Sequence, residues 1–362
     1  MTTALSLYLD ALRFSAALVV FVGHYSTQRH GGGLFWQAFL YGRTAVLVFF
    51  VLSGFVIAWI TETKEKTFEE YALSRAARLY SVILPVFLIT ALLDSLGSAI
   101  DPRLYELEWR LSTVHPLLGY GLSVVFLGQS WTLDVAPRSD LPFWSLNYEA
   151  WYYVLFAVAT FLCGWRRMAA LSAAALMAGP KILLLFPVWL MGAAAWRWRA
   201  VLPPIWGAPL AVGVVGVVIG FESLGGRPLF EHVNMPWLLS SCPIYDYIVG
   251  ALVAFFIVGL ANASLPMPGA TAERLVRFLA GTTFGLYLLH NPLLIFFGTV
   301  IPGSVDRPVH RILLFGLTLG GSILIAHLIE RRKGAFRRAM QFGIDTLRGR
   351  PLRPVFERER HS

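Results

Sequence analysis

Long apolar runs, separated by short polar joints, set the pattern of this chain. A helix needs ~20 largely apolar residues to cross a membrane. Runs at 5–24, 41–60, 76–97, 144–163, 168–180, 182–196, 204–221, 238–262, 278–300 and 309–329 approach or meet that length. The fifth and sixth are short and divided only by Gly179, Pro180 and Lys181, so one broken element is an alternative to two crossings. A further apolar piece, 117–128, has twelve residues. As a helix it would cover ~18 Å of a ~30 Å hydrocarbon core, which suits a re-entrant or surface-lying segment. The pattern predicts an all-α, polytopic membrane helix bundle of about ten transmembrane helices, with one short extra helix.

Composition agrees. Of the 362 residues 57% are hydrophobic and 14% charged, with a mean hydropathy of +0.64. Soluble domains carry roughly 25% charged residues. Asp10 and Arg13 interrupt the first run, and no small-residue cleavage site follows, so it is a retained helix rather than a signal peptide. The net charge of +9 does not call for nucleic acid, because ten of the thirty Lys and Arg lie after Glu330. Lipid headgroups are their expected partner.

Charge also orients the chain. The segments around 61–78, "GWRR", "WRWR", "TAERLVR" and the tail hold 20 Lys and Arg, against nine in the opposite loops. Ten crossings then close with both termini cytoplasmic. The chain divides into one membrane domain, 1–330, and a basic cytoplasmic tail, 331–362. Cys163 and Cys242 fall at opposite ends of their helices, so no disulfide is expected. No Cys or His cluster has metal-ligand spacing, so no metal site is expected.

Several polar residues do not belong in lipid. Arg13 and His24 share the first span, ~16 Å apart along its axis. Arg at the helix centre costs ~2.5–3.5 kcal/mol on insertion scales, so such residues usually have a function. A snorkelling Arg and an interfacial His are the structural alternative. Arg75 and Arg78 open the third span; their i, i+3 spacing puts both guanidinium groups on one face, where they can hold phosphate or simply mark the cytoplasmic end.

In "FWSLNYEAWYY", Glu149 stands among Trp144, Tyr148 and Tyr152, which recur at every fourth position. Such a stripe is commonly packing, but flat aromatic faces beside a carboxylate also suit a sugar. In "FGLYLLHNPLL", His290 and Asn291 precede Pro292, which cannot donate a backbone hydrogen bond and is expected to open the helix locally. A kinked packing site with a buried, hydrogen-bonded His is the alternative. Topology puts His24, Glu149 and His290 in the outer half, Arg75 and Arg78 at the inner face and Arg13 between, which suggests a through-membrane site.

"RFSAALVVFVGH", "FFVLSGFVI", the Arg-x-x-Arg of the third span, "FWSLNYE" and "YLLHNP" occur in this order. Together they make the chain resemble acyltransferase family 3, the integral-membrane O-acyltransferases that modify surface polysaccharides and other acceptors. The resemblance runs from about Leu7 to Glu330. It implies a bacterial cytoplasmic-membrane enzyme with no permanently bound cofactor, an acyl-CoA donor (most often acetyl-CoA) and an acceptor hydroxyl, usually on a sugar or glycan.

By that resemblance Arg13 and His24 match the essential pair, Arg75 and Arg78 the pair that holds the CoA phosphates, Glu149 the motif glutamate and His290 the later histidine. Trp144, Ser145, Tyr148, Tyr152, Tyr287, His290 and Asn291 are expected to line the acceptor site or pore. Many members continue with Arg-Pro after the last span, whereas this chain reads "ERRKGAF". With no esterase-like domain following, handover of the acyl group to a second catalytic domain would need a separate extracytoplasmic protein.

On this reading His24, whose side chain ordinarily titrates near ~6.5, is the general base on the acceptor hydroxyl. Glu149 or a neighbouring carbonyl orients it, and Arg13 stabilises negative charge. An acyl-histidine is a second route. The rival is a proton-coupled transporter or flippase of a polar solute, for which buried Arg, His and Glu are equally suited. Transporters typically show internal repeats, and neither the Arg-x10-His nor the Trp-Ser-Leu pattern has a second copy.

Overall fold

The computed structural model describes residues 1–109, 115–225 and 242–347. The described residues form helices with no strand: α1 (Thr3–Tyr25), α2 (Trp36–Thr63), α3 (Phe68–Ile100), α4 (Pro102–Trp109), α5 (Pro116–Val124), α6 (Trp144–Phe161), α7 (Gly164–Ala178), α8 (Pro180–Trp198), α9 (Gly207–Ser223), α10 (Pro243–Asn262), α11 (Ala270–Val300), α12 (Pro308–Glu330) and α13 (Lys333–Leu347).

Seven helical segments, those of α1, α2, α3, α9 with the turn before it (Pro204–Ser223), α10, α11 and α12, are long and apolar enough to cross a membrane, and the bent pair α7–α8 makes an eighth candidate. The sequence count of ten also took 144–163 as a crossing and 168–180 and 182–196 as two. The helix covering the first, α6, has 18 residues and carries Asn147 and Glu149 in its first half. The other two are joined at Gly179 with a 117° bend, the broken-element alternative. Gly179 has φ +81°, and a Cβ there would stand 2.6 Å from the Trp131 amide nitrogen, so only glycine fits the joint. Segment 117–128 contributes the nine-residue α5, about 14 Å long and too short to cross. Of the span expected at 238–262, residues 238–241 lie outside the described residues, as do 348–362 of the tail.

The bundle is built around α2. It packs against α1, α8 and α10, while α11 packs against α1, α3 and α12. Helices α2 and α8 approach closely through Gly54 and Gly192: a Cβ on Gly192 would fall 1.9 Å from the Val51 carbonyl oxygen. Small residues at such crossings let backbones meet in the absence of a hydrophobic drive between helices in lipid. Leu84, Leu88, Leu92, Leu96 and Ile100 form an exposed stripe along α3 at every fourth position, as expected of a lipid-facing helix side.

The start of α3 is set by a capping box. Thr67 Oγ1 accepts from the Glu70 amide at 3.2 Å, and the Glu70 carboxylate accepts from the Thr67 amide at 3.2 Å. This places Arg75 and Arg78 in the second and third turns. Beyond α12, residues 333–347 of the tail form α13, which packs against α3.

Candidate functional site

Five helices, α1, α2, α3, α6 and α11, wall a partly open cavity that holds Arg13, Ser53, Arg75, Arg78, Ser145, Glu149, Tyr153 and Tyr287, with about 690 Å³ of space including its mouth. Apolar rings from Phe49, Phe50 and Phe284 close its sides. Arg13, Arg78, Thr283 and Phe284 also line a second space of about 700 Å³, whose remaining polar walls are Asp10, Arg277, Glu330 and Lys333. The shared side chains stand between the two spaces, and the second lies towards the end of the bundle where α1 and α11 begin and α12 ends.

Glu149 is tied down from two sides. Ser53 Oγ donates to Glu149 Oε1 at 2.7 Å, and the Tyr153 hydroxyl donates to the same oxygen. Trp189 Nε1 in turn donates to Ser53 Oγ at 3.2 Å. Arg75 is buried, with its Nη2 2.9 Å from Glu65 Oε1 and its guanidinium over the rings of Tyr71 and Tyr153, 5.6 and 5.8 Å from their centroids. Arg277 Nη1 meets Asp10 Oδ2 at 2.6 Å, and Glu330 Oε1 accepts from the Gly285 amide at 3.1 Å.

A second constellation lies further along α1 and α11. His24 Nδ1 is 3.1 Å from Asn291 Oδ1. The His24 and His290 rings meet edge-on, their centroids 5.0 Å apart. His290 is fully buried, and its Nδ1 donates to the Leu286 carbonyl at 3.2 Å, leaving Nε2 without a hydrogen-bond partner. Tyr287 links the two regions: it lines the cavity, bonds Ser145 Oγ at 2.8 Å, and its ring is 6.1 Å from that of His290.

The sequence placed Glu149 outside with His24 and away from the arginine pair. The structure instead gathers Glu149, Arg13, Arg75 and Arg78 into one cavity, with His24, His290 and Asn291 beyond Tyr287 and outside that lining. The reason is pitch and length. Glu149 lies five residues into α6, and the 33-residue α3 carries its arginines well past the cap.

Of the residues singled out for the acceptor site, Ser145 and Tyr287 line this cavity, while Trp144, Tyr148 and Tyr152 do not. Tyr148 stacks on Phe50, Trp144 meets Tyr148 edge-on, and the buried Tyr152 donates its hydroxyl to the Ile182 carbonyl at 3.1 Å. The aromatic stripe is packing between α6 and its neighbours. The cavity-facing stripe is Ser145–Glu149–Tyr153, one residue and ~100° further round. Pro292 does not interrupt α11, which runs through it.

Sequence reasoning missed Ser53, Tyr153, Asp10, Arg277 and Glu330 as site residues. Ser53 had a visible signal, a lone hydroxyl inside "FFVLSGFVI". Tyr153 was hidden by its aromatic neighbours. Among the described residues, no three His, Cys, Asp or Glu side chains group as metal ligands.

The fold and these side chains define a helical membrane protein with an Arg–Glu cavity among its helices and a histidine pair beyond it. The comparisons specify it. A family model described as an acyltransferase domain matches residues 6–327, and the chain belongs to this family, acyltransferase family 3. It is 28% identical over 319 residues to acyltransferase MdmB of Streptomyces mycarofaciens, a match covering 78% of this chain and 77% of that protein. No solved structure matches it.

Proposed function

We propose that this membrane acyltransferase moves an acyl group, most often acetyl, from cytoplasmic acyl-CoA to a hydroxyl of a sugar or glycan at the outer side of a bacterial cytoplasmic membrane. The observation that carries the reading is the single cavity shared by Arg13, Arg75, Arg78 and Glu149, which shares the Arg13 and Arg78 walls with a space lined by Asp10, Arg277, Glu330 and Lys333. Phosphates favour such a concentration of cations, and guanidinium groups bind them bidentately. The charged donor enters where α1 and α11 begin, and its thioester end reaches towards Tyr287 and the histidines.

The chemistry then needs a base and charge stabilisation. His24 takes the proton of the acceptor hydroxyl, the oxygen attacks the thioester carbonyl, and the CoA sulfur leaves and recovers the proton. Arg13 lies where negative charge collects on donor or intermediate. The carboxylate of Glu149, fixed by Ser53 and Tyr153, orients the arginines rather than the base.

The test is binding of acetyl-CoA to the purified full chain in nanodiscs. Arg78→Ala is expected to weaken it at least tenfold while acceptor affinity is unchanged. Equal acetyl-CoA affinity in wild type, Arg75→Ala and Arg78→Ala would return both residues to plain topology signals.

A further inference from the structure

Four hydrogen bonds connect His24, through Asn291 and the Ser139 loop, to α3. The Ser139 hydroxyl donates to Asp94 Oδ1 at 2.6 Å, and the Ser139 amide to Oδ2 at 3.3 Å, so this loop backbone is clamped to α3. The Ser139 carbonyl accepts from Asn291 Nδ2 at 2.6 Å. Asn291 Oδ1 then lies 3.1 Å from His24 Nδ1. Ser139, Asp94 and Asn291 are all buried, which makes an unmade bond costly in each of them.

Donor and acceptor rules permit one arrangement of protons along this chain. A backbone carbonyl only accepts, so the Asn291 nitrogen must be the atom facing Ser139. The amide oxygen therefore faces the imidazole, and an oxygen without a proton only accepts. His24 Nδ1 must carry hydrogen. Its Nε2 is then the nitrogen with the lone pair.

We propose that Asn291 is a positioning residue: held by the Asp94-anchored Ser139 backbone, it fixes His24 in the Nδ1–H tautomer and leaves Nε2 as the basic atom. The carboxamide does for this histidine what a carboxylate does for a triad histidine, but without adding a negative charge to the site. The assignment of Nε2 as the atom that takes the acceptor proton rests on the acyltransferase mechanism above. The tautomer itself does not.

The experiment is ¹⁵N spectroscopy of the full chain in nanodiscs with labelled histidine. The chain has eight histidines, and the signals of His24 are identified as those lost in His24→Gln. Protonated and lone-pair imidazole nitrogens are well separated in shift, so the tautomer is read directly. Wild type is expected to show Nδ1 protonated and Nε2 unprotonated in the neutral form. Asn291→Asp keeps an acceptor opposite Nδ1 and is expected to keep that tautomer. Asn291→Leu removes it and is expected to give a mixture.

An Nε2–H form in wild type would overturn the proposal without any variant being needed. So would unchanged His24 signals in Asn291→Leu. In parallel, acetyl transfer from acetyl-CoA is expected to fall by roughly 10²-fold or more in Asn291→Leu, the scale of a general base's contribution, and to survive in Asn291→Asp. The predicted tautomer together with no acetyl-CoA turnover in wild type would uphold the positioning role and overturn the acyltransferase reading instead.

Discussion

Ser145, Glu149 and Tyr153 follow one another at every fourth position of α6 and share its cavity side. Individual residues carry separable expectations. His24→Ala is expected to abolish acyl transfer while the protein still inserts and runs as a folded species in detergent. Wild-type amounts of acylated product from cells carrying this variant would remove the catalytic role.

Asp140 gives a pH-dependent expectation at the same scale. It is fully buried and neither carboxyl oxygen has a hydrogen-bond partner. Burial and the neighbouring Asp94 carboxyl push its pKa well above the ordinary range. The folded chain thus keeps a proton that the unfolded chain releases near ~3.9, and stability falls as pH rises above that value. Asp140→Asn is expected to raise the melting temperature more at pH 8 than at pH 4. An equal gain at both pH values, or a loss, would contradict this sign.

At the scale of elements, glycines set how closely helices pack. Helices α2 and α8 meet backbone to backbone at Gly54 and Gly192, and a methyl group at Gly192 has no free space, since Val51 O, Val51 C and Phe55 N all fall within 2.9 Å of it. Gly192→Ala is expected to cost about 1–3 kcal/mol through overpacking, read as a drop in melting temperature in detergent. Gly213 of α9 is the control, because a Cβ there meets nothing within 4 Å. Gly213→Ala is expected to be neutral or to stabilise by ~0.5–1 kcal/mol. If both substitutions behaved alike, the α2–α8 contact would not be close-packed in the membrane.

At the scale of the molecule, sidedness ties the parts together. Where α6 crosses and α7–α8 returns to the face it left, as two crossings or as a re-entrant element, the basic connections stay on one side; a single broken span at α7–α8 would separate them. The test uses single cysteines placed in a background lacking Cys163 and Cys242. At the exposed positions Lys64, Arg103, Thr132 and Trp165, an impermeant maleimide added to intact cells is expected to label Arg103→Cys and Thr132→Cys. Lys64→Cys and Trp165→Cys are expected to react only after the membrane is opened. Labelling at 103 with protection at 132 would mean that the segment containing α5 crosses, reversing the entry side of Glu149.

The sequence by itself determined the helical membrane class and the family, and it singled out the four charged residues that line the cavity, Arg13, Arg75, Arg78 and Glu149. Hydrophobic length and buried charge are local quantities, costly in lipid wherever the helices end up. The tertiary structure decided which of those residues meet. Trp144, Tyr148 and Tyr152 were as prominent in the sequence as Ser145, Glu149 and Tyr153, and only the rotation of α6 against α2 separates packing face from cavity face. The sequence likewise showed His24 and Asn291 267 positions apart, with nothing local to pair them. Their bond forms because α1 and α11 pack side by side, and its direction is set by a loop carbonyl that no sequence pattern marks.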